Sequence, residues 1–369
     1  MEYKLEELFD LQMGKTPSRS NPEYWNTGDN KWISIADLSK CGKYICETKE
    51  CISDMAVKES GISQIPANTV VMSFKLSIGK TAITSENMYS NEAIMSFRDK
   101  HVVDLLPEYV YYLLQAHNWN EGTNKAVMGK TLNKATLSKI KVSIHSRKEQ
   151  IEIINCLNTV MRIVNTRQQQ LQKLDELVKA RFVELFGDGN HPHIALIDLI
   201  IEGAGLSYGI VQPGDDGTGD MGVLRPVDMV DGKISTASIK YIDRSIGDGF
   251  KKTELYGDEL LITVRGTTGI TALTDIRFNG MNVTRGIAVV RYDRNKINPV
   301  YLNAYLNTDE SQRYIQEHTR GATLQQINLS DLRVQQIMVP PLALQEQMAA
   351  FIEQTDKSKV VVQDEVNGL

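Results

Sequence analysis

The sequence predicts a mixed α/β (α+β) fold in which two similar domains alternate with two long helices. Three observations support this. The segment 1–145 recurs as 189–341, a stretch with helical apolar spacing follows each copy, and each copy mixes short strand and helix patterns. We therefore predict long helices at 146–188 and 342–369, packed antiparallel as a coiled coil, which gives the chain pseudo-twofold symmetry.

An internal repeat covers most of the 369 residues. The clearest match pairs Val71–Gly79 with Leu261–Gly269, at an offset of 190. Further matches in the same order pair Asp37 with Asp228, Pro107–Tyr111 with Pro299–Asn303, Gly129–Ser138 with Gly321–Ser330, and Arg147–Ile151 with Leu344–Met348, at offsets of 191, 192, 192 and 197. A nearly constant offset indicates a duplication, and the length agrees with two domains of about 150 residues each.

Within each copy, alternating apolar residues predict strands at 70–74 and 259–264, and helical spacing predicts helices at 108–115 and 299–307. Glycine, proline and asparagine separate these elements. The pattern does not predict the order of the strands.

The first long helix is predicted because Arg147 to about Phe186 contains neither glycine nor proline. Forty residues give a rod of roughly 60 Å. Its apolar stripe consists of Ile151, Ile154, Leu157, Met161, Val164, Leu171, Leu174, Val178, Phe182 and Leu185. The second helix follows Pro341 and carries Met348, Phe351 and Thr355. We expect the two stripes to bury each other; the alternative is that each helix packs only on its own domain.

The second helix is predicted to be the shorter one. An offset of 197 from Phe182 places its end near position 379, whereas a helix of about 342–364 spans roughly 35 Å. Antiparallel pairing would then cover the first helix back to about Val164. We therefore expect no intramolecular partner for the start of the stripe, which consists of Ile151, Ile154, Leu157 and Met161. Two explanations stay open: another subunit covers these residues, or the chain is a shortened version of a longer one.

Composition excludes several classes of protein. No run of 18 apolar residues and no signal-peptide pattern is present, so we expect a cytoplasmic protein without a membrane segment. The four cysteines lack the paired Cys-x₂-Cys spacing of zinc sites, and the six histidines form no metal or triad pattern. We therefore predict free thiols and no metal site.

Net charge is −5, but one segment is locally basic. From Glu121 to Lys148 the basic residues are Lys125, Lys130, Lys134, Lys139, Lys141, Arg147 and Lys148, and Glu121 is the only carboxylate. A local basic surface can bind phosphate regardless of the charge of the whole chain, but a solvated face is the default explanation for such a run.

Three Gly-Lys-Thr triplets begin at Gly14, Gly79 and Gly129, but none has the second glycine that a P-loop requires five residues earlier. Their counterparts Gly205, Gly269 and Gly321 are followed two residues later by Ser or Thr. Both a structural turn and a ligand-reading turn account for this repeated pattern.

Two similar domains at a fixed separation suit a DNA duplex, whose half-sites recur on one face about 34–36 Å apart. Arginine suits guanine, asparagine and glutamine suit adenine, and lysines and backbone amides suit phosphates. The candidate DNA-binding residues near the glycine turns are Lys15, Thr16, Ser18, Arg19, Asn21, Lys75, Lys80, Lys130, Asn133 and Lys134 in the first domain, and Arg265, Thr267, Thr268, Arg285, Arg320, Gln325 and Gln326 in the second. Trp25, Trp32 and Trp119 are predicted to be core residues.

Several motifs, in this order along nearly the whole chain, resemble the specificity subunit of type I restriction–modification systems. They are Gly14-Lys-Thr-Pro-Ser18, Asn21-Pro-Glu-Tyr-Trp25, Trp32-Ile-Ser-Ile-Ala-Asp37, Phe182-Val-Glu-Leu-Phe-Gly-Asp188 and Pro340-Pro-Leu-Ala-Leu-Gln-Glu-Gln347. The resemblance implies two target-recognition domains that each read one half of a bipartite DNA sequence. It also implies that the helices act as a spacer on which two modification (methyltransferase) subunits dock.

The resemblance further implies a chain that is not an enzyme by itself and binds no cofactor. S-adenosylmethionine and ATP with magnesium would belong to the methyltransferase and restriction subunits, and the modified adenine would be flipped out of the duplex. Two alternatives stay open. One is a self-sufficient methyltransferase or nuclease, suggested by Asn21-Pro-Glu-Tyr24 and Asp231-Gly-Lys233. The other is a protein-binding scaffold that never contacts DNA.

Overall fold

In the computed structural model the chain forms two compact units, Met1–Ile163 (unit 1) and Val164–Leu369 (unit 2). The structure describes residues 1–75, 77–119, 124–126, 129–187, 189–214, 219–230, 232–322 and 324–368; for residues 27, 29, 124–126, 129–131, 366 and 367 it describes the backbone alone. The mixed α/β prediction is confirmed in both units.

Unit 1 combines short strands with short helices. Its strands are β1 Glu2–Lys4, β2 Phe9–Met13, β3 Trp25–Ile33, β4 Tyr44–Ile45, β5 Glu50–Ile52, β6 Val70–Ser73, β7 Thr81–Thr84, β8 Tyr89–Ser90, β9 Ile94–Asp99, β10 Asn124–Ala126, β11 Gly129–Thr131 and β12 Lys141–Ser143. Its helices are α1 Leu5–Leu8, α2 Ile35–Lys40, α3 Asp54–Ser60, α4 Pro107–Ala116 and α5 Lys134–Ser138, followed by the start of α6 Arg147–Phe186.

Unit 2 contains the rest of α6 and a second series of elements. Its strands are β13 His193–Ala195, β14 Ser207–Tyr208, β15 Met221–Leu224, β16 Met229–Val230, β17 Lys233–Ile234, β18 Lys240–Ile242, β19 Leu260–Thr263, β20 Thr271–Leu273, β21 Asn282–Val283, β22 Ile287–Val290 and β23 Gln336–Met338. Its helices are α7 Arg244–Gly247, α8 Pro299–Leu306, α9 Asp309–His318, α10 Leu329–Val334 and α11 Leu342–Asn367.

The sheets of the two units repeat each other, which explains the sequence repeat. Unit 1 has a sheet of order β2-β9-β6-β7-β4 and unit 2 one of order β14-β22-β19-β20, so that β9-β6-β7 corresponds to β22-β19-β20. The smaller sheets β5-β3-β8 and β18-β15-β21 each combine one antiparallel and one parallel pair. In each unit a first and a last strand also pair, β1 with β12 and β13 with β23.

The repeated aspartates have the same local role in both units. Asp37 accepts hydrogen bonds from the backbone N–H groups of Ser34 (2.8 Å) and Lys49 (3.1 Å) at the first turn of α2. Asp228, which is fully buried, accepts the backbone N–H of Arg225 at 2.8 Å and the guanidinium of the same residue. A carboxylate at the third position of a short helix satisfies N–H groups that otherwise lack partners.

The last part of the repeat has a different register from the one that sequence similarity suggests. Buried Gln150 accepts the Leu106 N–H at 3.0 Å, and buried Gln345 accepts the Asn298 N–H at 2.8 Å. These glutamines are 195 residues apart, as are the starts of α6 and α11. The pairing of Arg147–Ile151 with Leu344–Met348 is therefore wrong by two residues. The sequence match aligns Gln150 with Gln347, which lies about half a helical turn beyond its structural counterpart Gln345.

The first part of α6 packs on unit 1. Ile154 is buried in the core formed by β2, β6, β9 and α4, and Leu157 packs against that core. The expectation that Ile154 and Leu157 lack an intramolecular partner is therefore wrong, whereas Ile151 and Met161 are exposed. Asn158 fixes this contact, since its side chain bonds to Glu108, to Lys43 and to the Tyr112 hydroxyl at 2.6 Å.

The second part of α6 pairs antiparallel with α11, as predicted. Arg167 forms an ion pair with Glu365 at 2.6 Å, Asp175 one with Lys359 at 2.8 Å, and Arg181 lies over the Phe351 ring. Because residue numbers increase along α6 while those of the partners on α11 decrease, the two helices are antiparallel. Val178 and Phe182 of α6 also pack against the core of unit 2, in which Met348 of α11 is fully buried. The two helices therefore pack both on each other and on the core of unit 2.

Candidate nucleic-acid interface

The glycines that follow β6 and β19 have the same closing hydrogen bond and the same backbone angle. The Gly79 N–H donates to Ser73 O at 2.9 Å and the Gly269 N–H to Thr263 O at 2.8 Å, with φ of 90° and 88°. A Cβ on Gly79 would lie 2.8 Å from Trp119 Cδ1, and one on Gly269 would lie 3.1 Å from Ile315 Cγ2. Since these N–H groups are already bonded within the fold, the structure favours the structural-turn interpretation at both sites.

The other glycine positions differ from one another. Gly14 lies so close to β8 that a Cβ would be 2.1 Å from Ser90 O, so a larger residue does not fit there. Gly205 and Gly321 have φ of 63° and 102°, a region that L side chains adopt at a cost. Gly129 begins β11, and the side chain of neighbouring Lys130 lies outside the described residues.

In unit 1, acidic partners hold several of the predicted DNA-binding side chains. Arg19 forms a two-pronged ion pair with Glu50 (2.5 and 2.9 Å) and stacks 3.6 Å from the Trp25 ring centroid. The hydrogen bond from Arg19 lowers the pKa of Glu50, and the same bond raises the pKa of the guanidinium. Arg19 is thus oriented by a carboxylate, with half of its side chain still exposed.

A second carboxylate, Glu92, lies among the same residues. It accepts the Thr16 hydroxyl, whose bond lowers the pKa of Glu92, and the charges of Lys75 and Arg19 lower it further. Thr16, Arg19 and Lys75 therefore lie close together around Glu92. The sequence does not indicate either carboxylate, because Glu50 and Glu92 are far from Arg19 and Thr16 along the chain and only the fold brings them together.

The remaining candidates of unit 1 have local partners. Lys15 Nζ donates to Ser60 O at 2.5 Å, and Lys80 Nζ to Ser39 Oγ at 2.5 Å. Ser18 bonds to Ser20, and Asn21 Oδ1 accepts the Glu23 N–H of the following 3-10 turn. Asn133 Oδ1 caps α5 by accepting the Thr136 N–H at 2.8 Å, with exposed Lys134 beside it.

In unit 2 most of the candidates converge on one feature, a hairpin whose described residues are 319–322 and 324–326 (the 319–326 hairpin). Arg320 and Gln326 exchange two backbone hydrogen bonds of 2.8 Å. Gln326 is also bridged to Arg265, next to Gly266, whose N–H donates to Gln325 O at 2.9 Å. Thr268 is bonded through its hydroxyl to Thr319 at 2.9 Å. Thr267 is exposed nearby.

Arg285 reaches the same region from the turn between β21 and β22. Its N–H donates to Ile210 O at 2.8 Å, and the neighbouring Gly286 lies close to Arg265 O, because a Cβ there would be 3.7 Å from that oxygen. The Arg285 side chain is exposed. Unit 2 therefore gathers Arg265, Arg285 and Arg320 around one hairpin.

The three tryptophans are core residues, as predicted. Trp25 and Trp32 form an edge-to-face pair 5.0 Å apart, and their indole N–H groups donate to Ser18 O and Lys15 O. Trp119 is buried and donates to Leu114 O at 2.8 Å. The Trp25–Trp32 pair thus anchors the loop that carries Lys15 to Arg19.

The motifs behind the enzymatic alternative have structural roles or lie outside the described residues. Asn21 caps a turn and the Tyr24 hydroxyl donates to Glu59, which raises the pKa of Tyr24. Asp231 lies outside the described residues. Within the described ranges, no group of three or more His, Cys, Asp or Glu side chains is arranged to hold a metal ion.

Among the described helices, none has the length and apolar character needed to cross a bilayer.

Two α/β units with the same strand order, a shared glycine turn and basic or amide side chains gathered beside it define a duplicated recognition protein. The chain belongs to the family described as the type I restriction modification DNA specificity domain, whose model matches residues 1–176 and 220–365. DNA target recognition is the role of this family, whose members are non-catalytic subunits of type I restriction–modification systems.

Named relatives agree with this assignment. The chain is 22% identical to the type I restriction enzyme MjaIX specificity subunit of Methanocaldococcus jannaschii over 95% of this chain and 85% of that one. It is 24% identical to the EcoBI specificity subunit of Escherichia coli over 44% of this chain and 34% of that one.

Solved structures share the fold. The S subunit of a type I restriction–modification system from M. genitalium aligns with a TM-score of 0.57 at 13% identity, over 100% of this chain and 92% of that one. A chain from a study of the assembly and conformational transition of the type I system aligns with a TM-score of 0.56 at 14% identity, over 100% and 93%.

Proposed function

We propose that unit 1 and unit 2 each bind one half of a bipartite, asymmetric target in double-stranded DNA. Two modification subunits dock on α6 and α11, and restriction subunits join that core. S-adenosylmethionine and ATP with magnesium are then held by those partners, in the cytoplasm, and this chain positions them on its target.

The observation that carries the proposal is that the two units share a frame but differ in the side chains mounted on it. The hydrogen bond from the Gly79 N–H to Ser73 O recurs as the bond from the Gly269 N–H to Thr263 O. Lys75 and Lys80 of unit 1 nevertheless correspond to Arg265 and Ile270 of unit 2. A shared frame with exchanged side chains is what independent reading of two unlike half-sites requires.

Among the predicted residues, exposed Lys134 and Arg285 suit phosphate contacts, because a phosphate oxygen accepts a hydrogen bond from a cationic side chain in many orientations. Arg19 suits a more selective contact, because Glu50 and Trp25 fix the direction of its guanidinium. Asn133 uses its Oδ1 as a helix cap, so only its amide N–H groups are left for DNA.

The salt dependence of DNA binding tests the proposal against the protein-scaffold alternative. The net charge of −5 predicts weak DNA binding by the chain alone and strong binding once the modification subunits are added. With six to ten phosphate contacts, affinity of the assembly falls about 10³–10⁵-fold between 50 and 200 mM salt. An assembly that forms but binds DNA no better than the free chain, with no salt dependence, contradicts the proposal.

A further inference from the structure

The 319–326 hairpin is held rigidly at its base. The Ile327 N–H donates to Val264 O at 3.0 Å and the Gly266 N–H to Gln325 O at 2.9 Å, which extends the hairpin from the end of β19. Gly321 makes the tight turn possible, because its φ is 102° and a Cβ would lie 2.2 Å from Leu324 O. A rigid base fixes where the exposed side chains of the hairpin point.

Strand pairing places three of these side chains in one row. Gln326 is directly opposite Arg320 on one side and directly opposite Arg265 on the other. Directly opposed residues project to the same face of a β-ribbon, so Arg265, Gln326 and Arg320 form a row. Opposed Cα atoms are about 5.5 Å apart in a hydrogen-bonded pair and about 4.5 Å in the other kind, so the row spans about 10 Å.

The side chains of the row have polar groups to offer to a ligand. Arg320 is 70% exposed, with Asp331 at 3.8 Å as a distant ion-pair partner, and Gln326 is exposed. Arg265 Nε is buried without a hydrogen-bond partner within the described residues. Residues 319–326 contain no carboxylate, so nothing in the hairpin itself repels DNA.

We propose that the row Arg265–Gln326–Arg320 enters the major groove and reads three successive base pairs of the half-site bound by unit 2. A two-stranded ribbon fits a groove about 12 Å wide. The outer Cα atoms of the row are about 10 Å apart and the first and third of three stacked base pairs about 6.8 Å apart, a difference that two long arginine side chains close by converging toward the central glutamine. Arginine pairs with guanine through O6 and N7, and glutamine pairs with adenine through N6 and N7. The half-site therefore contains an A·T pair flanked on both sides by G·C pairs.

This inference rests on the proposed function, and its test separates the two. The full chain is expressed with its modification subunits in cells that lack other adenine methylation, and the methylated motif is sequenced. Exchanging residues 189–341 for another second domain first identifies the half read by unit 2. A wild-type chain that yields no bipartite motif contradicts the proposed function, whereas an unchanged motif in the row variants contradicts only this inference.

The variants are Gln326→Ala, Arg320→Ala and Arg320→Lys. Gln326→Ala is expected to relax the central A·T position, lowering discrimination there about 5- to 150-fold, and the Arg320 variants to relax one flanking position. Arg320→Lys separates base reading from phosphate binding, because lysine keeps the charge and loses the guanidinium fork. Gln316→Ala is the matched control, because Gln316 is an exposed glutamine of α9 that lies outside the row and is not among the candidate DNA-binding residues.

Relaxation confined to one position of the second half supports the row, provided that the first half and the motif of the Gln316→Ala control are unchanged. A second half without a G·C–A·T–G·C run, or row variants that keep every letter of the wild-type motif, overturns it. Thermal unfolding of each purified variant within about 2 °C of wild type shows that the fold is intact. Should Arg320→Ala unfold, Arg320→Lys tests the same flanking position without removing the charge.

Discussion

Gln345 and Gln150 should each be essential for the stability of the unit in which they are buried. Gln345 accepts the Asn298 N–H at 2.8 Å and donates to Pro340 O at 2.7 Å, which ties the start of α11 to the loop before α8. Gln150 accepts the Leu106 N–H and donates to Asp104 O and His145 O, which ties the start of α6 to α4. Both side chains are fully buried, so water does not replace these bonds.

Gln345→Leu keeps roughly the volume of the side chain and removes both bonds, leaving one buried N–H and one buried C=O without their partner. At about 1–3 kcal/mol for each of the two unsatisfied groups, we expect the free energy of unfolding of unit 2 to fall by about 2–6 kcal/mol. For a unit of this size, at about 2–4 °C per kcal/mol, that lowers its Tm by roughly 4–24 °C. Gln150→Leu should destabilise unit 1 at least as strongly, because three bonds are lost.

The matched control is Gln347→Leu, two residues further along α11 on an exposed position. The sequence repeat pairs Gln150 with Gln347, whereas the structure pairs it with Gln345, so the two variants distinguish the registers. Urea and thermal unfolding followed by circular dichroism measure both, with separate transitions assigned to the two units. A Gln347→Leu protein that loses as much stability as Gln345→Leu would refute the 195-residue register.

Two further predictions concern unit 1. Gly79→Ala should destabilise it by about 1–3 kcal/mol, because φ is 90° and the new Cβ meets Trp119, whereas Gly42→Ala, with open space around its Cα, should stay within about 0.5 kcal/mol in the same unfolding assay. Because the pKa of Glu50 is lowered in the folded protein, its stabilising ion pair with Arg19 is fully present above the ordinary value of 4.5 and is lost as the pH falls below it. The pair is partly exposed, so we expect Glu50→Gln to reduce the loss of unfolding free energy between pH 7 and pH 3.5 by about 0.5–1 kcal/mol relative to wild type. The same pH dependence in the variant as in wild type would contradict the stabilising role of the pair.

The long elements can be predicted from the sequence because their signals are strong and local. Forty residues without glycine or proline from Arg147 to Phe186 strongly favour a helix. The strands Val70–Ser73 and Leu260–Thr263 lie within the predicted strands 70–74 and 259–264, although all four residues of each are buried, so the pattern is a continuous run and not the alternation on which the prediction rests. The repeat itself is visible because both copies need the same glycine turn. The sequence misassigns the pairing of the start of α6 with the start of α11. Unit 2 has three more residues before α10 than unit 1 has before α5, which raises the offset from 192 to 195, whereas the best local sequence match has an offset of 197.

The candidate site is predictable in composition but not in arrangement. Nothing in the sequence indicates that Glu50 and Glu92 orient Arg19 and Thr16, since ion pairs and hydrogen bonds between distant segments leave no periodic signal. The row Arg265–Gln326–Arg320 is likewise invisible in sequence, because one of its members precedes the others by more than fifty residues. Strand pairing alone brings them into register.

The central claim is that the two copies of one frame read separate tracts of DNA independently. The most direct test replaces residues 1–145 with the corresponding domain of another specificity subunit, in cells that also make the modification subunits, and sequences the methylated motif. We predict that one half of the bipartite motif changes completely while the other half keeps every base. A change in both halves, or in neither, would contradict independent reading.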